Sequence, residues 1–218
     1  MAILLDQCQN LQIKSVHGNT PLHYACANGN TETTQLLLEH SVAREFMSLD
    51  SKCSVDITPL YELCNNEDHT ALHAMEFILD FSVRNKIVIN MNAEENLAFT
   101  TPLHCICSNG SIELLKLVFN HPGTKHTIDI GAQNSKGKTL MHVACRYKQI
   151  EIVKFILDYS FENNIDLDLN ATDDDDLSAL RYLFNFNTKT QTEILPISLE
   201  MFKLILNHPA AQDINIKD

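Results

Sequence analysis

One pattern of apolar and polar positions recurs along the chain. In Ile150-Glu151-Ile152-Val153-Lys154-Phe155-Ile156-Leu157, residues Ile152, Val153, Ile156 and Leu157 share a face at helical spacing, while Glu151, Lys154 and Asp158 fall outside it. This predicts an amphipathic helix that ends in an apolar triplet. Four other segments carry such a triplet: Leu36-Leu37-Leu38, Phe77-Ile78-Leu79, Leu117-Val118-Phe119 and Leu204-Ile205-Leu206. Leu117 and Ile156 are expected in the core. Ahead of each triplet stands a second signal: Thr20-Pro21-Leu22-His23, Thr58-Pro59-Leu60-Tyr61, Thr101-Pro102-Leu103-His104, Thr139-Leu140-Met141-His142 and a decayed Ser178-Ala179-Leu180-Arg181. Proline in a first helical turn lacks a donor that would be unpaired anyway, and threonine just before it can cap, so each signal starts a helix. The links Asn28-Gly29-Asn30 and Ser108-Asn109-Gly110-Ser111 are short and polar, and their glycines suit the left-handed backbone at a helix end. Five helix pairs follow, each joined by a tight turn.

A single helix pair cannot bury its apolar face, so neighbours must stack along one lengthwise core. The runs Thr20-Pro21-Leu22-His23 and Thr101-Pro102-Leu103-His104 resemble the Thr-Pro-Leu-His-x-Ala signature of the ankyrin repeat. The resemblance covers nearly the whole chain. It implies an all-α solenoid of stacked helix-turn-helix repeats with β-turn or hairpin loops, forming a single domain over 1–218 with units near 17–50, 51–97, 98–135, 136–174 and 175–212. Successive starts lie 38, 43, 38 and 39 residues apart, against about 33 in the family. In copies one, three and four the offset from threonine to triplet is constant, so the extra residues fall after the triplet, as in Asp158 to Asn164. Two exits share Asn120-His121-Pro122 and Asn207-His208-Pro209. Asn65 to His69 and Asn185 to Pro196 are further inserts, expected as surface loops. Ile3-Leu4-Leu5-Asp6 and Asp213 to Asp218 read as parts of further units, so the array is expected to continue beyond both ends.

Charge and cysteine usage narrow the function classes. A net charge of −12 and a pI of about 5.2 argue against nucleic acid or an anionic membrane as main partner, since both require a basic footprint. The apolar run from Ala2 to Leu5 is too short for a signal peptide, and no stretch of about 18 apolar residues is present to span a membrane. Seven cysteines, most of them at helical repeat positions, read as reduced thiols of the cytoplasm, with the nucleus also open.

Three local motifs invite chemistry that their context does not support. Gly131-Ala-Gln-Asn-Ser-Lys-Gly-Lys-Thr139 has five residues between its glycines where a phosphate loop has four, and it leads into a helix with no buried strand before it. His23/Cys26, His104/Cys107 and His142/Cys145 look like half zinc sites. Helices pack about 8 to 10 Å apart, too far for such pairs to converge on one metal, so histidine is expected to bond the turn and cysteine to fill the core. Asp173 to Asp176 lacks the glycine and distal glutamate of a calcium loop and reads as a solvated turn tip. No catalytic signature occurs, and neither enzyme activity nor a cofactor is expected.

What the resemblance implies is protein binding by a monomer, on a concave surface of turn tips and first helices. The matching positions are Tyr24, Ala27 and Asn28 in copy one, Cys105, Ser108 and Asn109 in copy three, Lys136, Lys138, Val143, Arg146 and Tyr147 in copy four, and Asp174, Asp175 and Tyr182 in copy five. A hot spot is expected where Leu97 and Phe99 meet Arg146 and Tyr147, within a basic patch of Lys136, Lys138 and Lys148 that suits an acidic partner segment. The alternative is a regulatory region of a larger enzyme or channel. Asn92 and Asn170, just before turn tips, match the position that asparaginyl hydroxylases modify in such repeats.

Overall fold

The computed structural model describes residues 13–40, 48–66, 70–94, 100–184 and 191–209, the last with backbone alone over 191–195. The described helices come in pairs: α1 Pro21–Ala27 with α2 Thr31–Glu39, α3 Pro59–Cys64 with α4 Thr70–Asn85, α5 Pro102–Asn109 with α6 Ile112–Asn120, α7 Leu140–Arg146 with α8 Ile150–Glu162, and α9 Ala179–Phe184 with α10 Gln191–Asn207. No strand forms among the described residues, and an isolated bridge between Thr172 and Ser178 closes the turn before α9. The chain divides into two compact units, one of residues 1–105 and 116–128, the other of 106–115 and 129–218.

The threonines cap as their position requires. Thr58 accepts a hydrogen bond from the backbone N–H of Tyr61, and Thr139 from that of His142. In α1 and α7 the histidine at the third helical position returns the contact, its Nδ1 accepting from the backbone N–H of Thr20 and of Thr139. This is a capping box in which imidazole stands where Glu or Gln is usual. The turns before α1, α3, α7 and α9 share one geometry. Residues Ser15, Cys53, Asn134 and Asp173 each accept at their carbonyl from the N–H three residues on, and donate to the carbonyl four residues on. The third residue after each has positive φ: Gly18, Asp56, Gly137 and Asp176. Adjacent turns are tied edge to edge, Ser54 N–H to His17 O at 2.9 Å and Asp174 N–H to Lys136 O at 3.1 Å.

On α8, Ile152, Val153, Ile156 and Leu157 are all fully buried. Leu117 departs from expectation: α6 buries Leu114, Leu115, Val118 and Phe119, which leaves Leu117 at the edge of that face and half-exposed. Of copies one, three and four, only copy four carries its extra residues as helix, α8 running on to Glu162, whereas α2 and α6 end one residue after the triplet at Glu39 and Asn120; in copy two α4 runs on to Asn85. The Asn-His-Pro exits gain a physical role. His121 Nε2 lies 3.2 Å from Asp80 Oδ1 on α4, and His208 Nε2 lies 3.1 Å from Asp158 Oδ1 on α8, so each exit pairs with the second helix of the repeat before it. The insert expected as loop over Asn185–Pro196 is in part helical: α10 begins at Gln191 and contains Pro196. Residues 67–69 of the shorter insert, 185–190, and the terminal segments 1–12 and 210–218 lie outside the described residues.

Candidate functional site

The site is built around Tyr182, and it starts from Asp173. Its carboxylate accepts from the N–H groups of Asp175 (3.0 Å) and Leu177 (3.1 Å) and from the hydroxyl of Tyr182 (2.5 Å), and Lys138 Nζ approaches to 3.6 Å. Burial by itself would favour the neutral acid, but the Tyr182 and backbone donors and the Lys138 charge outweigh it and hold the carboxyl below its ordinary value of 3.8. Burial and the bond to Asp173 push the Tyr182 phenol up. Asp173 is thus the buried organiser of the turn rather than part of a solvated run. Asp174, Asp175 and Asp176 are exposed at the tip.

Tyr182 itself is buried, contrary to its expected place on an exposed stripe. Its ring is contacted by Lys138 Nζ, 5.2 Å from the centroid, by Arg146 Cζ at 5.8 Å, and by the edge of His142. Arg146 Cζ also lies 6.0 Å from the Tyr147 ring, and Tyr147 is 54% exposed. The guanidinium is thereby held in place by two aromatic rings with its donors at the surface. Lys136 is exposed. Lys148 is not available in the same way. It sits at φ 59°, where α1 and α5 are followed by Gly29 and Gly110, and its Nζ donates to the carbonyls of Tyr182 (2.7 Å), Leu183 (2.9 Å) and Cys145 (3.3 Å). It caps the end of α9, and burial lowers its pKa.

The rest of the predicted stripe is uneven. Tyr24, Ala27 and Asn28 are exposed, Ser108 and Asn109 are half-buried, and Cys105 and Val143 are buried. Tyr24, Cys105, Val143 and Tyr182 each lie four residues after the Thr or Ser that precedes the helix, so the same register is open in copy one and covered in copies three to five. Leu97 and Phe99 lie outside the described residues. Asn170 is exposed, its N–H bonded to Asp168 Oδ1 at 3.0 Å, and Asn92 is half-buried with the same bond to Asn90 Oδ1. The sequence offered no signal for Asp173 within its run of four, nor for Lys148 as a helix cap.

Two histidines of the repeat starts, His23 and His142, are engaged at both ring nitrogens. With Nδ1 occupied at its threonine, Nε2 of His23 meets Ile57 O at 3.0 Å and Nε2 of His142 meets Leu177 O at 3.1 Å, in each case in the following repeat. Burial lowers both pKa values. Cys26 and Cys145 are buried, and burial pushes their thiols up to about 12.

Comparison with known proteins matches this architecture. The model for ankyrin repeats in three copies matches residues 1–77 and 72–173. The chain is 24% identical over 166 residues to NF-kappa-B inhibitor zeta of Mus musculus, covering 64% of this chain and 22% of that protein. It is 25% identical over 167 residues to the putative ankyrin repeat protein L371 of Acanthamoeba polyphaga mimivirus, covering 74% and 19% respectively. The chain therefore spans about a fifth of the length of these two relatives. Among solved structures, the ankyrin repeat domain of Bcl-3 superposes with a TM-score of 0.63 at 18% identity, covering 89% of this chain and 75% of that one. No described helix is long and apolar enough to cross a membrane.

Proposed function

We propose a function from one premise: the chain belongs to the ankyrin repeat family, and repeats of this family are in general protein-interaction modules. On this reading the chain acts as a monomeric scaffold or adaptor that holds a protein partner on the concave side of turn tips and first helices, all five copies serving as one array over 1–218. No catalytic role is proposed, and no nucleic-acid partner. The observation that supports the reading best is the pairing of Arg146, the last residue of α7, with the exposed Tyr147 that caps the helix. The guanidinium is pre-ordered by Tyr147 and by the buried Tyr182, so little side-chain freedom is lost on binding. Lys136, exposed on the turn before α7, favours an acidic segment in the partner, Asp174 and Asp175 offer contacts to basic groups at the tip, and Leu97 and Phe99 belong to the same proposed surface. Lys138 and Tyr182 serve it from beneath, as supports.

A cytoplasmic or nuclear location is part of the same proposal, as is hydroxylation of Asn92 and Asn170. Affinity capture from cell extract, with the wild-type chain and the Tyr147→Ala chain as paired baits, tests the reading. A partner retained by the first and lost from the second supports it. A partner set unchanged by the substitution would remove Tyr147 from the site.

A further inference from the structure

We propose that the exit of α4 forms a second docking surface, one that takes a short acidic segment of a protein partner carrying aliphatic anchors. It rests on the reading of the chain as a protein-binding module, but it uses other residues than the turn tips and first helices. The extra residues of copy two end α4 in a left-handed turn: Lys86 has φ 57°, with Lys86 N–H bonded to Val83 O and Ile87 N–H to Ser82 O. Val83 in the last turn of α4 and Ile87 and Val88 just beyond it are 48%, 36% and 75% exposed.

The fold does not require Lys86 or Val88, although copy four keeps exposed apolar side chains, Phe161 and Ile165, at the positions of Val83 and Ile87. Copy four makes the same turn, with Asn164 at φ 53° and Ile165 N–H bonded to Ser160 O, and there Asn164 and Asp166 stand where copy two has Lys86 and Val88. Asparagine tolerates the left-handed region, whereas lysine adopts it at a cost. Lys148 makes up that cost with three hydrogen bonds, but the Lys86 ammonium has no hydrogen-bond or ion-pair partner among the described residues. A strained residue with no structural partner points to a partner outside the chain.

The surroundings set the chemistry of that partner. The turn after α6 is fastened alongside, Thr127 Oγ1 donating to Ile89 O at 3.3 Å, and a Cβ at Gly123 would fall 3.1 Å from Val83 Cγ2. Between those two anchor points lie Lys125 and His126, both exposed. Arg84 is steadied over the Phe77 and Phe81 rings and by Glu39. Lys86, Lys125 and His126 thus frame three aliphatic side chains in a chain whose net charge is −12. Screening confines such a field to about 8 Å at physiological salt, so a short acidic segment feels the local lysines. A broad anionic membrane would instead face the acidic remainder of the chain.

The test uses the full chain and a random dodecapeptide phage library, with peptides retained by the Lys86→Glu/Lys125→Glu variant depleted. The expected selectants combine Asp or Glu with Leu, Ile or Val. As synthetic peptides they should bind wild type at least tenfold more tightly than the charge-reversed variant or Val88→Asp, and equally well to Tyr147→Ala. All substituted side chains are exposed, and matching circular dichroism melts confirm that folding is kept. Selectants without acidic residues, selectants insensitive to Lys86 and Lys125, or selectants lost with Tyr147→Ala would each overturn the proposal. So would co-sedimentation with phosphatidylserine vesicles in place of peptide binding.

Discussion

His142 Nε2 lies 3.1 Å from the carbonyl oxygen of Leu177, 35 residues along the chain. Because Nδ1 accepts the N–H of Thr139, the proton must sit on Nε2, which donates to Leu177 O. A repeat start is thereby stitched to the turn of the following repeat. Stability should follow the titration of His142 and of its counterpart His23. Both folded pKa values lie below 6.5, burial being the main cause. The unfolded chain therefore takes up protons first, so this contribution is complete above pH 6.5 and declines as pH falls below it, by at most about 1.4 kcal/mol per unit for each histidine. Urea midpoints measured from pH 8 to pH 5 should drop on the acid side, and His142→Gln should flatten the profile.

Core substitutions should separate buried from edge positions. Ile156→Ala, at a fully buried site, should cost about 2 to 5 kcal/mol through lost transfer energy and a cavity. Leu117→Ala should cost less because its side chain is half-exposed, and Lys154→Ala should stay within about 0.5 kcal/mol. Denaturant midpoints of the three variants give the ranking.

Tyr182 and Tyr147 should behave in opposite ways. Tyr182→Phe removes the hydroxyl donor of the buried Asp173 carboxylate and should lower stability by about 1 to 3 kcal/mol. Tyr147→Ala should leave the melt nearly unchanged and weaken partner binding by more than about 1 kcal/mol, as truncation of an aromatic anchor does. Binding should weaken as salt is raised if Lys136 steers an acidic partner. Paired thermal melts and calorimetric titrations of a captured partner check both.

Asn170 is exposed and Asn92 is half-buried, so an asparaginyl hydroxylase should modify Asn170 faster. Intact-mass analysis after incubation should show addition of one oxygen, with Asn170→Ala removing most of it. No mass gain would end the proposal.

Local signals made much of this legible in advance. Thr58, Thr139 and the apolar triplets carry their structural role in their own few residues, because capping and helical periodicity act over one or two turns. The covered positions were not legible. Val143 and Tyr182 stand in the same register as the exposed Tyr24, and only packing that helix periodicity does not encode distinguishes them. The same holds for the Asn-His-Pro exits. Their recurrence was visible, but Asp80 and Asp158 lie 41 and 50 residues away from the histidines they meet, and no periodicity links them.

The buried thiols amount to a set of clocks. Cys26, Cys64, Cys107 and Cys145 occupy one equivalent position in copies one to four, each almost fully shielded. A thiol held near 12, as in Cys26 and Cys145, presents almost no thiolate at neutral pH, and alkylation requires the thiolate. Each cysteine can therefore react only while its own helix pair is transiently open. Alkylation rates resolved by peptide mass would then report the opening free energy of four successive repeats in the unaltered chain. Copy five, which has Phe184 in the same place, would be the silent one.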